Sequence, residues 1–375
     1  MKVGLLTDSI ERGSPGLRRY AMRLSAELLA LGGADITLLH FSPGRDSFFE
    51  GKPHRRLFDT RVPLAGKQLV FYPQVRPLSL DIVHDTYHFP PFLAPASYGR
   101  IMTVADTTAI TMRTHRLKNR LAHKLLFPVL VRRADHILTI SQHTRHDLIE
   151  LLRLPEGKVT ATPLAADDHL QRVSDPARLA DVRYRLKLPA RYFLYVGTIE
   201  PRKNLERTVK AFARAAAAHP DAELLLAGPR GWGDADLEAV AAAEGVGARV
   251  RLLGRVEEQD LAALYTMATA LVYPSLYEGF GLPPLEAMQC GCPVITSNVS
   301  SLPEVVGDAA LLVDPRSIDG IAEAMRAVLA SESERGAMIE RGLKRARLFS
   351  WRRCAERTME VYEHVAASRA ASRAA

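Results

Sequence analysis

The sequence predicts an α/β protein built from two Rossmann-like, doubly wound domains that face a cleft. Its 375 residues are too many for one ordinary core. Short apolar runs recur along the chain, and each is followed by a turn and a helical pattern. These runs are rich in Val, Ile and Leu with little alternation, which is typical of parallel strands covered on both faces. Ligands of such sheets bind beyond the carboxyl ends of the strands.

The order of the runs sets the domain boundaries. The first half contains VGLLT, DITLLH, DIVHD, IMTVAD and HILTIS, and the second half contains FLYVG, ELLLAG, VRLLG, ALVYP, PVITS and ALLVD. Between Ala165 and Ala190 the rhythm stops, and charged residues replace the strands. We therefore predict an N-terminal domain at 1–168, a linker at 169–190 and a C-terminal domain at 191–349.

The last segment, 350–375, is predicted to be a helix. Trp351, Ala355, Met359 and Tyr362 have the spacing of one apolar helical face. We expect this helix to cross back and pack on the N-terminal domain.

Composition limits the function. The net charge of +8 and a pI near 9.5 suggest a polyanionic partner: nucleic acid, an anionic membrane or a phosphorylated substrate. No basic and aromatic module of a nucleic-acid-binding protein is present, so nucleic acid is not expected. We expect a cytoplasmic protein, because the sequence offers no transmembrane run, no signal peptide and no disulfide framework among its three cysteines.

A glycine-containing loop follows the first strand. Gly13 and Gly16 flank a turn in GSPGLRRY, and a helix is predicted from about Leu17. Glycines allow a ligand to approach the backbone, and a helix N-terminus favours negative charge. The loop is therefore either a phosphate loop or an ordinary connection from strand to helix.

A second loop carries two cations. The strand FLYVG ends at Gly197, and a helix is predicted from about Asn204. The loop between them holds Thr198, Glu200, Arg202 and Lys203. Cations at a helix N-terminus oppose the helix dipole, so this arrangement costs stability. It indicates a diphosphate-binding site, and the alternative is a solvated pair of basic residues.

Two glutamates surround a turn without other charges in YEGFGLPPLEA. The prolines after the glycines suit the first positions of a helix, which would place Glu286 in the first turn. The helix dipole then explains Glu286, but it explains neither Glu278 nor the glycines. A sugar nucleotide explains all of them, with one carboxylate at the sugar, one at the ribose and the backbone amides of the loop at the sugar and diphosphate.

Together these motifs resemble those of a retaining glycosyltransferase of the GT-B fold, family 4 (group 1). The likeness rests on EGFGLPPLE, on GTIEPRKN upstream and on GCPVITSNVSSLPEVVGDAALLVDP downstream, and it covers the whole chain. It implies transfer of a hexose from a nucleotide diphosphate sugar with retention of configuration, without a metal or another cofactor. The EPRKN subgroup resembles mannosyltransferases of surface polysaccharides, which implies GDP-mannose as the first choice of donor and a glycan or lipid-linked acceptor.

The resemblance also implies roles for individual residues. Lys203 matches the lysine at the diphosphate, Glu278 the glutamate at the donor sugar and Glu286 the one at the ribose. Catalytic roles thus fall to Glu278, Lys203 and Arg202. The backbone around sugar and phosphate matches Gly279, Phe280, Gly281 and Leu282. The contact with the base matches Val256, and the N-terminal glycine loop matches the loop of Gly13 and Gly16.

Two positions depart from the family pattern. Many relatives have an arginine where this chain has Thr198, and Arg202 is expected to take its role. Relatives also commonly have a histidine-aspartate pair after the strand IMTV, where this chain has Ala105 and Asp106. His84 and His88 lie near the carboxyl end of the preceding strand, and they either replace that histidine in part or are structural residues.

Two rival functions remain open. A non-catalytic subunit that binds sugar nucleotides would be consistent with Ala105, and a GT-B epimerase would act on the sugar nucleotide itself. The segment from Thr107 to Ala134 has seven Lys/Arg residues and no acid, with leucines at helical spacing. It predicts either peripheral contact with an anionic membrane, through Lys118, Arg120 and Lys124, or a helix whose apolar stripe lies in the core.

Overall fold

The chain forms two compact units. The computed structural model describes residues 1–57, 64–86, 89–94, 96–111, 117–231, 233 and 236–374. The first unit comprises Met1–Leu164 and Ser350–Ala375, and the second comprises Ala165–Phe349. The segment 169–190, predicted as a linker, lies in the second unit and includes a helix.

The first unit is built on a seven-stranded parallel sheet. Its strands are β1 Lys2–Leu6, β2 Asp35–His40, β3 His54–Arg56, β4 Ile82–Asp85, β5 Gly99–Val104, β6 His136–Thr139 and β7 Val159–Ala161. They are ordered β3-β2-β1-β4-β5-β6-β7 in the sheet. The strand order therefore reverses between β1 and β4, where a doubly wound sheet has its ligand crevice.

Helices cover this sheet. They are α1 Ser9–Arg12, α2 Pro15–Leu31, α3 Leu64–Val75, α4 Thr108–Thr111, α5 Leu117–Arg133 and α6 Gln142–Leu152. All four residues of β4 and of β6 are buried, as expected of strands covered on both faces.

The second unit repeats the architecture with six parallel strands. The helices are α7 Pro176–Arg185, α8 Leu205–Ala215, α9 Leu237–Ala243, α10 Glu258–Met267, α11 Leu282–Gln289, α12 Leu302–Val306, α13 Ile318–Ala330 and α14 Glu332–Ala346. The strands are β8 Arg191–Val196, β9 Ala222–Ala227, β10 Val250–Gly254, β11 Ala270–Tyr273, β12 Val294–Ser297 and β13 Leu311–Val313. Their order is β10-β9-β8-β11-β12-β13, so the switch point lies between β8 and β11.

The last helix, α15 Trp351–Ala374, belongs to the first unit. The ring of Trp351 lies 6.5 Å from that of Tyr20 on α2, and the hydroxyl of Tyr362 reaches His84 on β4. The residues predicted to share an apolar face are all buried. This confirms the prediction of a C-terminal helix that returns to the N-terminal domain.

The sequence prediction of a doubly wound α/β fold is confirmed, and each of the eleven apolar runs forms a strand. Two strands were missed, β3 and β7, and both have only three residues at a sheet edge. All three residues of β3 are exposed and polar, so that strand has no apolar pattern to detect.

Candidate active site

The loops after β8 and β11 meet at the switch point of the second sheet. The two strands are hydrogen-bonded neighbours, and their partners include Leu194 and Leu271. The loop after β8 carries Lys203, and the loop after β11 carries Glu278. Doubly wound sheets bind their ligands at this place in the topology.

Close backbone contacts shape the first of these loops. Gly197 follows β8 with φ +146°, and Gly228 follows β9 with φ +147°. A Cβ atom on Gly228 would lie 2.0 Å from the carbonyl oxygen of Gly197, so no side chain fits there. Thr198 is half-buried, and its carbonyl accepts a hydrogen bond from the Tyr195 hydroxyl at 2.9 Å.

A short 3₁₀ turn, Pro201–Lys203, then presents the cations. Asn204 ends this turn with φ +63° and also caps α8. The Asn204 side-chain amide donates to the carbonyls of Pro274 at 3.0 Å and Pro315 at 2.6 Å. The turn is thus fixed to the loop that follows β11.

Four charged side chains meet at this point. The Lys203 ammonium donates to Glu278 Oε1 at 2.6 Å, and Arg202 Nη1 donates to Glu278 Oε2 at 2.8 Å. Arg202 also pairs with Glu200 at 2.6 Å. Lys203 and Glu278 are each only 7% exposed. Two cations and two carboxylates therefore form a charge-balanced cluster that is largely out of water.

The cluster shifts the ionisation of its members. Burial by itself favours the neutral acid, but Lys203 and Arg202 outweigh it and lower the pKa of Glu278 to about 2. Burial lowers the pKa of Lys203, while Glu278 opposes that shift. The Lys203 ammonium also donates to the hydroxyl of Tyr273 at 2.6 Å. Glu278 is thus a carboxylate held ionised between two cations.

The loop after β11 is held by serines. The backbone N–H of Glu278 donates to Ser300 Oγ at 3.0 Å. The Ser301 hydroxyl lies 2.9 Å from the carbonyl oxygen of Glu278 and 2.7 Å from that of Phe280. Gly279, Phe280 and Gly281 are buried. The backbone predicted to surround a sugar phosphate is therefore fixed in place.

Gly281 is the N-cap of α11 and requires glycine. Its φ is +114°, and an added Cβ would lie 2.8 Å from a methyl group of Leu302. The helix begins at Leu282, which is half-buried, and its prolines occupy the next two positions. The first N–H groups of a helix have no partner within it and favour anions.

The placement of Glu286 differs from the sequence prediction. Glu286 is the fifth residue of α11 and not part of its first turn, because the helix includes Leu282. Its carboxylate accepts a hydrogen bond from the hydroxyl of Tyr265 at 3.0 Å, and the residue is 2% exposed. Val256, predicted near the base, is half-buried two residues beyond β10.

In the first unit, the predicted glycine loop is a short connection between helices α1 and α2. Gly13 follows α1, and an added Cβ would lie 2.5 Å from the carbonyl oxygen of Ser9. Helix α2 begins at Pro15, two residues before the predicted start, so Gly16 lies inside the helix. Apart from its chain neighbours and its own helix backbone, no atom of the described residues lies within 4 Å of a Cβ added to Gly16, so this packing does not require glycine there.

The structure places His84 in the core of the first unit. His84 is fully buried, and its ring nitrogens lie 2.6 Å from the Tyr362 hydroxyl and 2.8 Å from the Thr103 hydroxyl. Burial lowers the pKa of His84 to about 3, so the ring is neutral. One nitrogen joins the sheet to α15 through Tyr362 and the other bonds Thr103 on β5, so the side chain has no exposed surface for a ligand. His88 lies outside the described residues.

Asp106 follows β5 and caps a short helix. Its Oδ1 accepts hydrogen bonds from the backbone N–H of Thr108 at 2.9 Å and from the Thr108 hydroxyl at 2.5 Å. Ala105 beside it is half-buried.

Sequence reasoning missed three groups at the site. Tyr273 is the last residue of β11 and contacts Lys203, Asn204 joins the two loops, and Ser301 holds the loop of Glu278. Asn204 directly follows the two cations in the sequence, so its position could have indicated that it belongs to the site. Nothing in the sequence distinguishes Ser301 from its serine neighbours.

Within the described part of the chain, one group of side chains could hold a metal ion. Asp167, His169 and Glu258 bring ligand atoms within 4.8 Å of one another. Only Asp167 is buried, and the Glu258 carboxylate lies 3.2 Å from His169.

The membrane prediction can be compared with the structure only in the second half of α5, where the side chains are described. Leu125 is 65% exposed and Val129 is 44% exposed, so these members of the predicted apolar stripe do not lie in the core. The side chains of Lys118, Arg120 and Lys124 lie outside the described residues. No helix in the described ranges is both long and apolar enough to cross a membrane.

Comparisons with known proteins agree with this architecture. Residues 181–345 match the family model of glycosyl transferases group 1, and residues 15–170 match that of glycosyltransferase family 4. An O-antigen chain mannosyltransferase B of Escherichia coli is 35% identical, over 97% of this chain and 100% of the relative.

Solved structures share the fold across both units. A sucrose-phosphate synthase from Thermosynechococcus elongatus has a TM-score of 0.79 at 23% identity, over 98% of this chain and 100% of the other. HepE from Anabaena, solved with UDP and glucose, has a TM-score of 0.77 at 18% identity, over 97% of this chain and 100% of HepE. The fold is thus that of GT-B glycosyltransferases. The chain belongs to the group 1 glycosyl transferases, family 4.

Proposed function

We propose that this glycosyltransferase moves a hexose from a nucleotide diphosphate sugar to a glycan or lipid-linked acceptor in surface polysaccharide synthesis, with retention of configuration. The observation that carries the proposal is the buried cluster of Lys203, Arg202 and Glu278 at the switch point of the second sheet. Pairing buried cations and a carboxylate in this way costs desolvation energy, and such a cost is typical of a site that serves a ligand.

The cations suit a diphosphate leaving group. Negative charge grows on the diphosphate as its bond to the sugar breaks, and fixed cations stabilise that charge best in a site shielded from water. Lys203 and Arg202 are held by Glu278 and by the turn that Asn204 anchors. The N-terminus of α11 adds its own preference for anions. Phosphate oxygens would take over part of the hydrogen bonding that Glu278 now provides.

The proposed step is a displacement on one face of the sugar. The bond between the anomeric carbon and the diphosphate oxygen breaks, and the acceptor hydroxyl forms a bond to the same face. The leaving phosphate oxygen takes the hydroxyl proton, so atoms and charge balance and the configuration is retained. Glu278 binds the donor sugar beside the reacting carbon, and Glu286 binds the ribose. No divalent metal is required, because Lys203 and Arg202 supply the positive charge.

GDP-mannose is the first choice of donor. Support comes from the E. coli relative, whose name identifies it as a mannosyltransferase of the O-antigen chain. Its 35% identity extends over nearly the whole chain. We further propose that the exposed Leu125 and Val129 on α5 bring the protein to the membrane where a lipid-linked acceptor lies.

The test combines binding with product analysis. A thermal-shift panel of nucleotide diphosphates and their sugars identifies the donor, because a ligand at 100 times its dissociation constant stabilises a protein by about 2.7 kcal/mol. Transfer is then followed with that donor, and NMR of the product determines the anomeric configuration. An inverted product would contradict retention. Binding without hydrolysis or transfer indicates a non-catalytic subunit, and conversion of the donor sugar without an acceptor indicates an epimerase.

A further inference from the structure

A groove of about 720 Å³ lies on the first unit, between the amino-terminal end of β6 and the last turns of α15. It therefore lies at the opposite end of the strand from the carboxyl ends, where doubly wound sheets bind their ligands. Its volume falls in the range of small-molecule binding sites. The groove therefore needs its own explanation.

The charges around the groove are strongly unbalanced. Its lining includes five cations and a single carboxylate: Arg132, Arg133, Lys158, Arg369, Arg373 and Asp135. The carboxylate is already engaged, because Arg369 contacts it at 3.1 Å and the backbone N–H of Arg100 donates to it at 2.7 Å. Among the described residues, no carboxylate lies within 4 Å of Arg132, Arg133 or Lys158. The groove thus carries excess positive charge.

Backbone carbonyls hold these cations in position. Arg133 donates to the carbonyl of Leu93 at 2.7 Å, and Lys158 donates to that of Arg132 at 2.8 Å. A carbonyl fixes a side chain without neutralising its charge. The positive charges are therefore ordered before a ligand arrives, which reduces the entropic cost of binding.

Neighbouring groups respond to this charge. Burial, together with the nearby His364 and Lys158, lowers the pKa of His136 to about 4. Burial also lowers the pKa of Lys158; Asp135 opposes this shift and Arg132 adds to it. Both groups sit where an additional positive charge is unfavourable and an anion would be favourable.

We propose that this groove is a second anion site, which binds ligands carrying two or more phosphate groups. Arginine side chains match phosphate oxygens with paired N–H donors, and four are present here. The site is distinct from the donor cluster and does not depend on the proposed transfer reaction. The phosphates come either from the headgroups of an anionic lipid surface or from a soluble polyphosphate.

The test removes two exposed arginines that face the groove. Arg132→Gln with Arg133→Gln is compared with Arg55→Gln and Arg76→Gln, a matched pair of exposed arginines elsewhere in the first unit. Binding is measured to vesicles of phosphatidylglycerol, to vesicles of phosphatidylcholine and, by calorimetry, to inorganic pyrophosphate. Melting temperature and nucleotide diphosphate affinity verify that each variant is folded.

We expect the groove variant to bind at least one anionic probe about tenfold more weakly than the matched variant does. Loss of phosphatidylglycerol binding identifies lipid headgroups as the source, and loss of one pyrophosphate-binding event identifies a soluble ligand. Phosphatidylcholine binding should be weak throughout. The proposal is overturned if the two variants lose binding equally, or if neither anionic probe distinguishes the groove variant from the unmodified protein.

Discussion

The two units use the same topological position differently. Each has a parallel sheet whose strand order reverses, between β1 and β4 in the first unit and between β8 and β11 in the second. At the first position polar side chains bond to one another inside the fold: His84 lies between Tyr362 and Thr103, and Ser9 is bonded to Thr86. At the second position three charged side chains, those of Lys203, Arg202 and Glu200, are gathered around Glu278.

We expect this difference to separate structural from functional polar groups. A neutral, fully bonded histidine stabilises the contact between α15 and the sheet, and it has no exposed surface for a ligand. A charge-balanced cluster of two cations and two carboxylates can exchange one partner for phosphate oxygens. Changes in the second unit should therefore affect transfer, whereas changes at His84 should affect stability.

The largest effect is expected from Lys203→Ala. Removing the ammonium takes away charge that stabilises the leaving diphosphate, so we expect kcat/KM to fall by about 10³ and nucleotide diphosphate affinity to fall with it. Steady-state kinetics and calorimetry measure the two effects. Lys210→Ala on α8 is the control, because Lys210 pairs with Glu206 at the surface. Equal activity of the two variants would show that Lys203 does not take part in transfer.

A smaller effect is expected from Glu278→Gln. Glutamine keeps the size of the side chain but removes the charge beside the reacting sugar, so kcat should fall by about 10². Binding of the sugar-free nucleotide diphosphate should be retained, because Lys203 and Arg202 are then less neutralised. Calorimetry with that diphosphate also shows whether the variant is folded. Normal turnover by this variant would contradict the assignment of Glu278 to the donor sugar.

Glu286→Gln should act mainly on KM. The ribose does not change in the reaction, so its contacts contribute equally to the ground state and the transition state. We expect KM for the donor to rise about tenfold, the equivalent of about one hydrogen bond to a charged group, with little change in kcat. Because Glu286 also accepts from Tyr265, Tyr265→Phe is the control for a merely structural effect. A fall in kcat with unchanged KM would contradict the ribose assignment.

At the other switch point, His84→Asn should change the pH dependence of stability and leave kcat within about twofold. Below pH 6.5 the unfolded chain takes up a proton at His84, whereas the folded state resists protonation until about pH 3. Protonation therefore favours unfolding, and His84 makes the protein less stable as the pH falls from 6.5 towards 3. The slope from this group is at most about 1.4 kcal/mol per pH unit.

Urea unfolding at a series of pH values measures that slope. It should be shallower in His84→Asn than in the unmodified protein and than in the control His146→Asn, which changes an exposed histidine. An unchanged slope in His84→Asn, or a large loss of kcat, would mean that His84 is not the neutral core histidine of the structure.

Much of this organisation follows from local sequence patterns. Buried parallel strands such as HILT and VITS have continuous apolar runs, and the loop containing Arg202 and Lys203 stands out because its cations oppose a helix dipole. The roles of His84 and Tyr362 could not be predicted, because 278 positions separate these hydrogen-bonded residues. Local patterns also could not predict the direct ion pair between Lys203 and Glu278, since 75 positions separate them.

The smallest effect is expected from a chelator. If Lys203 and Arg202 supply the positive charge at the leaving diphosphate, EDTA should change the transfer rate by less than about twofold. Asp167, His169 and Glu258 give this prediction a specific alternative, because their ligand atoms are close enough to hold a metal ion. His169→Asn removes the only nitrogen ligand of that group and tests it separately. Loss of activity in EDTA that manganese restores would show that the two cations are insufficient. If His169→Asn abolished that sensitivity, the required metal would lie at this group of side chains and the switch-point cluster would not act alone.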